Sequence, residues 1–140
     1  MKGLLEFKNN NVGGVKDVDT KNRVVTGYLS SFDNEDHSGD IIVKGAYAKT
    51  LKERRSEIMF LNQHDWKQPH GKFAVLQEDS KGLYFESEPL INTSYSEDAI
   101  KLYEAGIMKE HSVGFVTITK ETKGDNRILR ELKLYEGSNV

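Results

Sequence analysis

Lys109-Glu110-His111-Ser112-Val113-Gly114-Phe115-Val116-Thr117-Ile118-Thr119 is the stretch on which the fold turns. Val, Ile, Phe and Thr at this density, with a glycine among them, read as a half-buried strand whose backbone is approached closely by something else. Alternation along a strand puts Ser112, Gly114, Val116 and Ile118 on one face and His111, Val113, Phe115, Thr117 and Thr119 on the other. The imidazole of His111 therefore points away from Ser112. If Ser112 is a nucleophile and not an ordinary strand serine, its base comes from elsewhere, and Leu61-Asn62-Gln63-His64-Asp65 offers one.

The strand needs a partner, and Arg127-Ile128-Leu129-Arg130-Glu131-Leu132-Lys133-Leu134-Tyr135-Glu136 follows it across a turn at residues 122–126. Matching the apolar patterns of an antiparallel pair opposes Val116 with Leu132. The same register sets Ser112 opposite Glu136, one cross-strand step of about 5 Å away. A one-residue slip would oppose Val116 with Lys133 instead. This places an acid near the serine; the bland alternative is a surface Thr/Glu hairpin.

Upstream, Leu4-Leu5-Glu6-Phe7-Lys8 reads as a first strand and Asn9-Asn10-Asn11 as a turn. Arg23 to Phe32 is a stronger strand, with Gly27 at a bulge or sharp bend. Residues 33–40 form a carboxylate-dense loop whose spacing does not match a twelve-residue calcium loop, so it reads as solvated. Ile41-Ile42-Val43 is a short strand, residues 45–55 a surface helix with Tyr47 and Leu51 on one face, and residues 57–61 an apolar strand delivering His64 and Asp65 at its end. The loop from Asn62 to Gly71 holds two of the four histidines and the single tryptophan. Two chemistries suit it: His64 as a general base, or His64 and His70, with Asp65 or His37, as ligands of zinc or a similar ion. Residues 72–77 and 82–88 form a hairpin. Ser94 with Glu97 fits a capping box opening a helix with the stripe Ala99, Ile100, Tyr103 and Ile107, ended by Gly106.

Composition bounds the rest. A chain of 140 residues suits one domain, residues 1–140. A net charge of −2 with mixed signs argues against nucleic acid or an anionic membrane as partner. The absence of cysteine excludes disulfides, thiolate metal sites and cysteine nucleophiles. With no long apolar run and no signal-like start, an intracellular location is expected.

The order Gly27-Tyr28-Leu29-Ser30-Ser31-Phe32, Asp40-Ile41-Ile42-Val43-Lys44-Gly45-Ala46-Tyr47, Asn62-Gln63-His64-Asp65, Pro69-His70-Gly71-Lys72, Gly82-Leu83, Ala105-Gly106-Ile107, His111-Ser112-Val113-Gly114-Phe115 and Leu134-Tyr135-Glu136-Gly137-Ser138 resembles the tailed-phage prohead maturation proteases. The resemblance covers about residue 23 to the end. It implies a mainly β protein, a closed antiparallel β-barrel with a few flanking α-helices as in the herpesvirus assemblins. It further implies a serine endopeptidase with Ser112 as nucleophile, His64 as general base and Glu136 as the acid, and no cofactor. His70 stands where the family more often has an aliphatic residue, so a second imidazole is an alternative third member, the role a histidine fills in the assemblins. The implied substrate is a capsid or scaffold protein segment, and eventually the protease itself, cut inside an assembling procapsid in the host cytoplasm; homo-oligomerisation stays open. The chain stops at Val140, where the family normally continues, so a C-terminal tail is expected to be missing. A non-catalytic assembly module of the same fold and a metal-dependent hydrolase built on His64 and His70 are the competing readings.

Overall fold

The computed structural model describes residues 4–10, 14–35 and 39–140. His37, the further metal-ligand candidate, lies outside the described residues, as does part of the carboxylate loop. The chain runs β1 (Glu6–Asn10), β2 (Val15–Asp19), β3 (Val24–Ser31), β4 (Asp40–Ile42), α1 (Ala48–Arg54) with a 3₁₀ turn at Arg55–Glu57, β5 (Met59–Asn62), β6 (Asp65–Glu78), β7 (Gly82–Ser87), α2 (Ser94–Glu104), β8 (His111–Lys123) and β9 (Asn126–Asn139).

All strands belong to one sheet in the order β1-β8-β9-β5-β6-β7-β3-β2, with β4 added against β9. The mainly β class is as expected, but the barrel is not closed. The sheet curls into a half-barrel, and among the described residues no ladder joins β1 to β2 or β3. Nor is it purely antiparallel. β4 and β5 both run parallel to β9, with Ile41 opposite Ile128 and Phe60 opposite Gly137. The two ends approach through side chains instead: Asn10 Nδ2 donates to the Tyr28 carbonyl at 3.2 Å, and Ser31 Oγ to Asn10 Oδ1 at 2.8 Å. The Val15 N–H adds one backbone bond, to the Lys109 carbonyl at 3.0 Å.

The concave face holds one core, in which Val25, Leu29, Phe60, Phe85, Phe115, Leu132 and Leu134 are essentially without solvent contact. At the expected bend, the Gly14 carbonyl comes so close to Gly27 that a Cβ there would collide with it, and β2 carries an extra residue between Val15 and Asp17. The bend is thus a bulge in β2 accommodated by a missing side chain in β3. β1 starts and ends two residues later than expected: Leu4 and Leu5 are exposed, and Asn9 and Asn10 belong to the strand.

Helix α2 is capped by Thr93, not Ser94. Thr93 Oγ1 accepts the Ser96 backbone N–H at 3.2 Å, whereas Glu97 turns away to pair with Arg23, so no capping box forms. The stripe is correct at Ala99, Ile100 and Tyr103 and fails at Ile107, which is exposed; the helix has ended by then, and Met108 turns inward in its place. Gly106 adopts φ +73°, the left-handed conformation that closes a helix at least cost.

Candidate active site

β8 and β9 set the floor of the site. Their register places Ser112 opposite Ser138 and Gly114 opposite Glu136, not Ser112 opposite Glu136 as the apolar match suggested. Val116 lies opposite Lys133, the one-residue slip, because Lys123 pairs with Asn126 across a two-residue turn, and a bulge at Gly114/Phe115 adds the second residue of offset at Ser112. The correction moves the acid by two residues, and an even shift preserves its face. Ser112, Gly114, Glu136 and Ser138 therefore still share one side. Gly114 is the residue approached closely: a Cβ there would strike Glu136 Oε2, so the missing side chain is the space the carboxylate occupies.

β5 and β6 bring the imidazole. Asn62 pairs with Asp65 across a two-residue turn, Gln63-His64, in which φ is 50° and 61°. Two positive φ values mark the primed hairpin turn that suits strand twist, usually built with Asn and Gly. Here two ordinary residues hold it, at a cost of order 1–3 kcal/mol each. β9 fixes the turn: the Gln63 N–H donates to the Asn139 carbonyl and the His64 N–H to Ser138 Oγ, each at 3.0 Å.

The three groups meet. Ser112 Oγ lies 2.8 Å from His64 Nε2, and His64 Nδ1 bonds Glu136 Oε2. A carboxylate can only accept, so Nδ1 carries the proton and Nε2 is left as the acceptor for the serine hydroxyl. The second carboxylate oxygen, Oε1, accepts from Ser138 Oγ at 2.6 Å. Ser112, Ser138 and Glu136 are fully buried, and the His64 side chain is 19 % exposed. Phe7, half exposed, packs on the His64 ring with centroids 4.3 Å apart, and β1 runs along the other edge of β8 with Asn9 opposite Ser112.

The other histidines are committed elsewhere. His111 points into the core, where Nδ1 donates to the Tyr28 carbonyl at 3.1 Å and Nε2 lies 2.9 Å from the Tyr103 hydroxyl. Burial pushes its pKa down to about 4. His70 Nε2 lies 2.6 Å from Asn139 Oδ1 and Nδ1 2.7 Å from Ser96 Oγ; burial again lowers its pKa. With both ring nitrogens held by neutral partners, His70 takes no part in the serine–imidazole–carboxylate contact and does not face His64 as a co-ligand. Asp65 Oδ1 accepts the Lys67 N–H. Among the described residues no group of three or more His, Asp and Glu is arranged to hold a metal ion.

Sequence reasoning missed Ser138, Phe7 and Asn139. Alternation could have found the first, since Ser138 is two residues from Glu136 on the same strand. Phe7 carried no such signal, because the pairing of β1 with β8 spans the chain.

The chain is similar in sequence and in fold to phage proteases. Its sequence is 38 % identical over 98 residues to the prohead protease of Enterobacteria phage HK97, an alignment covering 69 % of this chain and 44 % of the phage protein. The chain thus spans less than half the length of that relative. Its fold matches the structure of the bacteriophage T4 capsid assembly protease with a TM-score of 0.67, at 12 % identity, over 96 % of this chain and 97 % of the other. The model of the caudovirus prohead serine proteases matches residues 12–140, and the chain belongs to that family.

Proposed function

We propose that the protein is a serine endopeptidase that cuts capsid or scaffold protein segments inside an assembling procapsid, in the host cytoplasm, with Ser112, His64 and Glu136 as its catalytic residues. One observation carries the reading: a serine hydroxyl and a buried carboxylate from two neighbouring strands, bonded in series through an imidazole on a hairpin turn. A serine hydroxyl is a poor nucleophile until a base takes its proton. His64 Nε2 accepts that proton as Oγ attacks the peptide carbonyl, and later returns it to the leaving amine. Glu136 holds the tautomer and stabilises the imidazolium that forms. Because β1 occupies the edge of β8 beside Ser112, an extended substrate strand lies along β1 or takes its place, reading main chain by strand addition.

The test is labelling by a fluorophosphonate. It is expected on Ser112, lost in Ser112→Ala, reduced at least about 1000-fold in His64→Ala, and unchanged by a strong chelator. A folded wild-type protein that takes no label would leave the non-catalytic assembly module as the better account. Loss of labelling on chelation would instead favour a metal-dependent site. Phe7→Ala, which uncovers the ring, is expected to speed labelling severalfold.

A further inference from the structure

Ser138 is fully buried and sits at a junction that a triad alone does not need. Its hydroxyl oxygen accepts the backbone N–H of His64, and its proton goes to Glu136 Oε1. Glu136 Oε2 accepts from the ring of the same histidine. The backbone and the imidazole of His64 are thereby gripped at two points by a closed circuit of three hydrogen bonds. Remove the hydroxyl and the circuit opens twice: the left-handed backbone of His64 loses a restraint, and the carboxylate loses the donor that fixes its plane.

We infer that Ser138 is a positioning residue that holds the His64 turn and the Glu136 carboxylate in the arrangement needed to activate Ser112. The inference rests on the proposed peptidase reading. Ser138 is not a second nucleophile, because its oxygen contacts the backbone of His64 and no ring nitrogen. Its effect must therefore run through Glu136 and His64, and this separates it from a serine that merely fills space. A space-filling serine would affect stability and act independently of Glu136.

A double-mutant cycle read by the rate of Ser112 labelling tests this. Ser138→Ala is expected to slow labelling by about ten- to a hundred-fold, the usual effect of a misplaced catalytic group. In a Glu136→Gln background the same change is expected to cost at least about threefold less, because only the restraint on the His64 turn is then left to lose. Equal losses in the two backgrounds overturn the inference, as does a folded Ser138→Ala protein that labels at the wild-type rate. If the alanine variant does not fold, Ser138→Cys keeps the shape with only a weak donor and carries the same expectation. A second readout does not depend on activity. The His64 Nδ1 proton, observed by NMR, is expected to exchange about tenfold faster in Ser138→Ala, and unchanged exchange refutes the positioning role even if the wild-type protein never takes the label.

Discussion

Gly114→Ala puts one methyl group into the space that the Glu136 carboxylate fills. The new Cβ would lie 3.1 Å from Glu136 Cδ and 3.2 Å from Phe7 Cε1, and would overlap Oε2 outright. Phe7 is half exposed and can give way; the carboxylate is buried between β8 and β9 and must retreat by about 1 Å. A displacement of that size in a catalytic constellation costs about 100-fold in rate, equivalent to about 2.7 kcal/mol. Overpacking destabilises by about 1–3 kcal/mol, partly offset by the 0.5–1 kcal/mol gained when alanine replaces a strand glycine. The net stability change is thus expected to lie between about 0 and 2.5 kcal/mol, no larger than the kinetic one. Gly137→Ala is the matched control, because its Cβ would point through the other face of the sheet, 2.8 Å from Leu29 Cδ2 and 3.2 Å from Leu29 Cγ. It is expected to lower Tm by roughly 3–10 °C while changing labelling at 25 °C by less than about threefold. Fluorophosphonate labelling rates and thermal melts on both variants decide the matter. A Gly114→Ala protein that labels at the wild-type rate, or a Gly137→Ala protein that loses labelling without losing stability, would refute the division of the sheet into a chemical face and a core face.

Stability is expected to fall as pH drops from about 6.5 to about 4. The unfolded chain protonates His111 near its ordinary value of 6.5, whereas burial holds the folded imidazole neutral down to about 4. The unfolded state therefore binds more protons across that window, and the loss reaches about 3 kcal/mol by its lower end, with the buried His70 adding in the same direction. Urea midpoints against pH check this, and His111→Gln should flatten the slope. Thr93→Ala is expected to cost about 1 kcal/mol and Ser94→Ala next to nothing, the reverse of what a cap at Ser94 would give.

The elements nearest the chemistry were the most legible. Period-two alternation put Ser112 and Gly114 on one face and His111 on the other, and both placements hold. Glu136 reached the right face by a wrong register, because two counting errors of one residue compound to an even number and parity survives. What the pattern could not reveal was the turn length that sets the first residue of offset and the bulge at Gly114/Phe115 that adds the second, since either leaves the order of apolar and polar positions almost intact. The parallel pairing of β5 with β9 was also hidden, for it joins segments about half the chain apart with no turn to announce it. The Gln63-His64 turn lacks the Asn-Gly signal that would identify a tight hairpin, so it read as a long loop. The cap on α2 slipped by one residue because Thr93, Ser94 and Ser96 all suit an N-terminus, and only the bond from the Ser96 N–H to Thr93 Oγ1 decides among them.

β9 lies between β5 and β8, and its segment from Glu136 to Asn139 touches the histidine turn on one side and the serine strand on the other. Neither neighbour can hold the other group in place without it. During synthesis Ser112 and His64, the proposed nucleophile and base, are both made before residue 136, and the strand that frames them on both sides follows afterwards. On the proposed assignment, translation order acts as a timer: a nascent chain carries both side chains before the segment from Glu136 to Asn139 has emerged to interlock them.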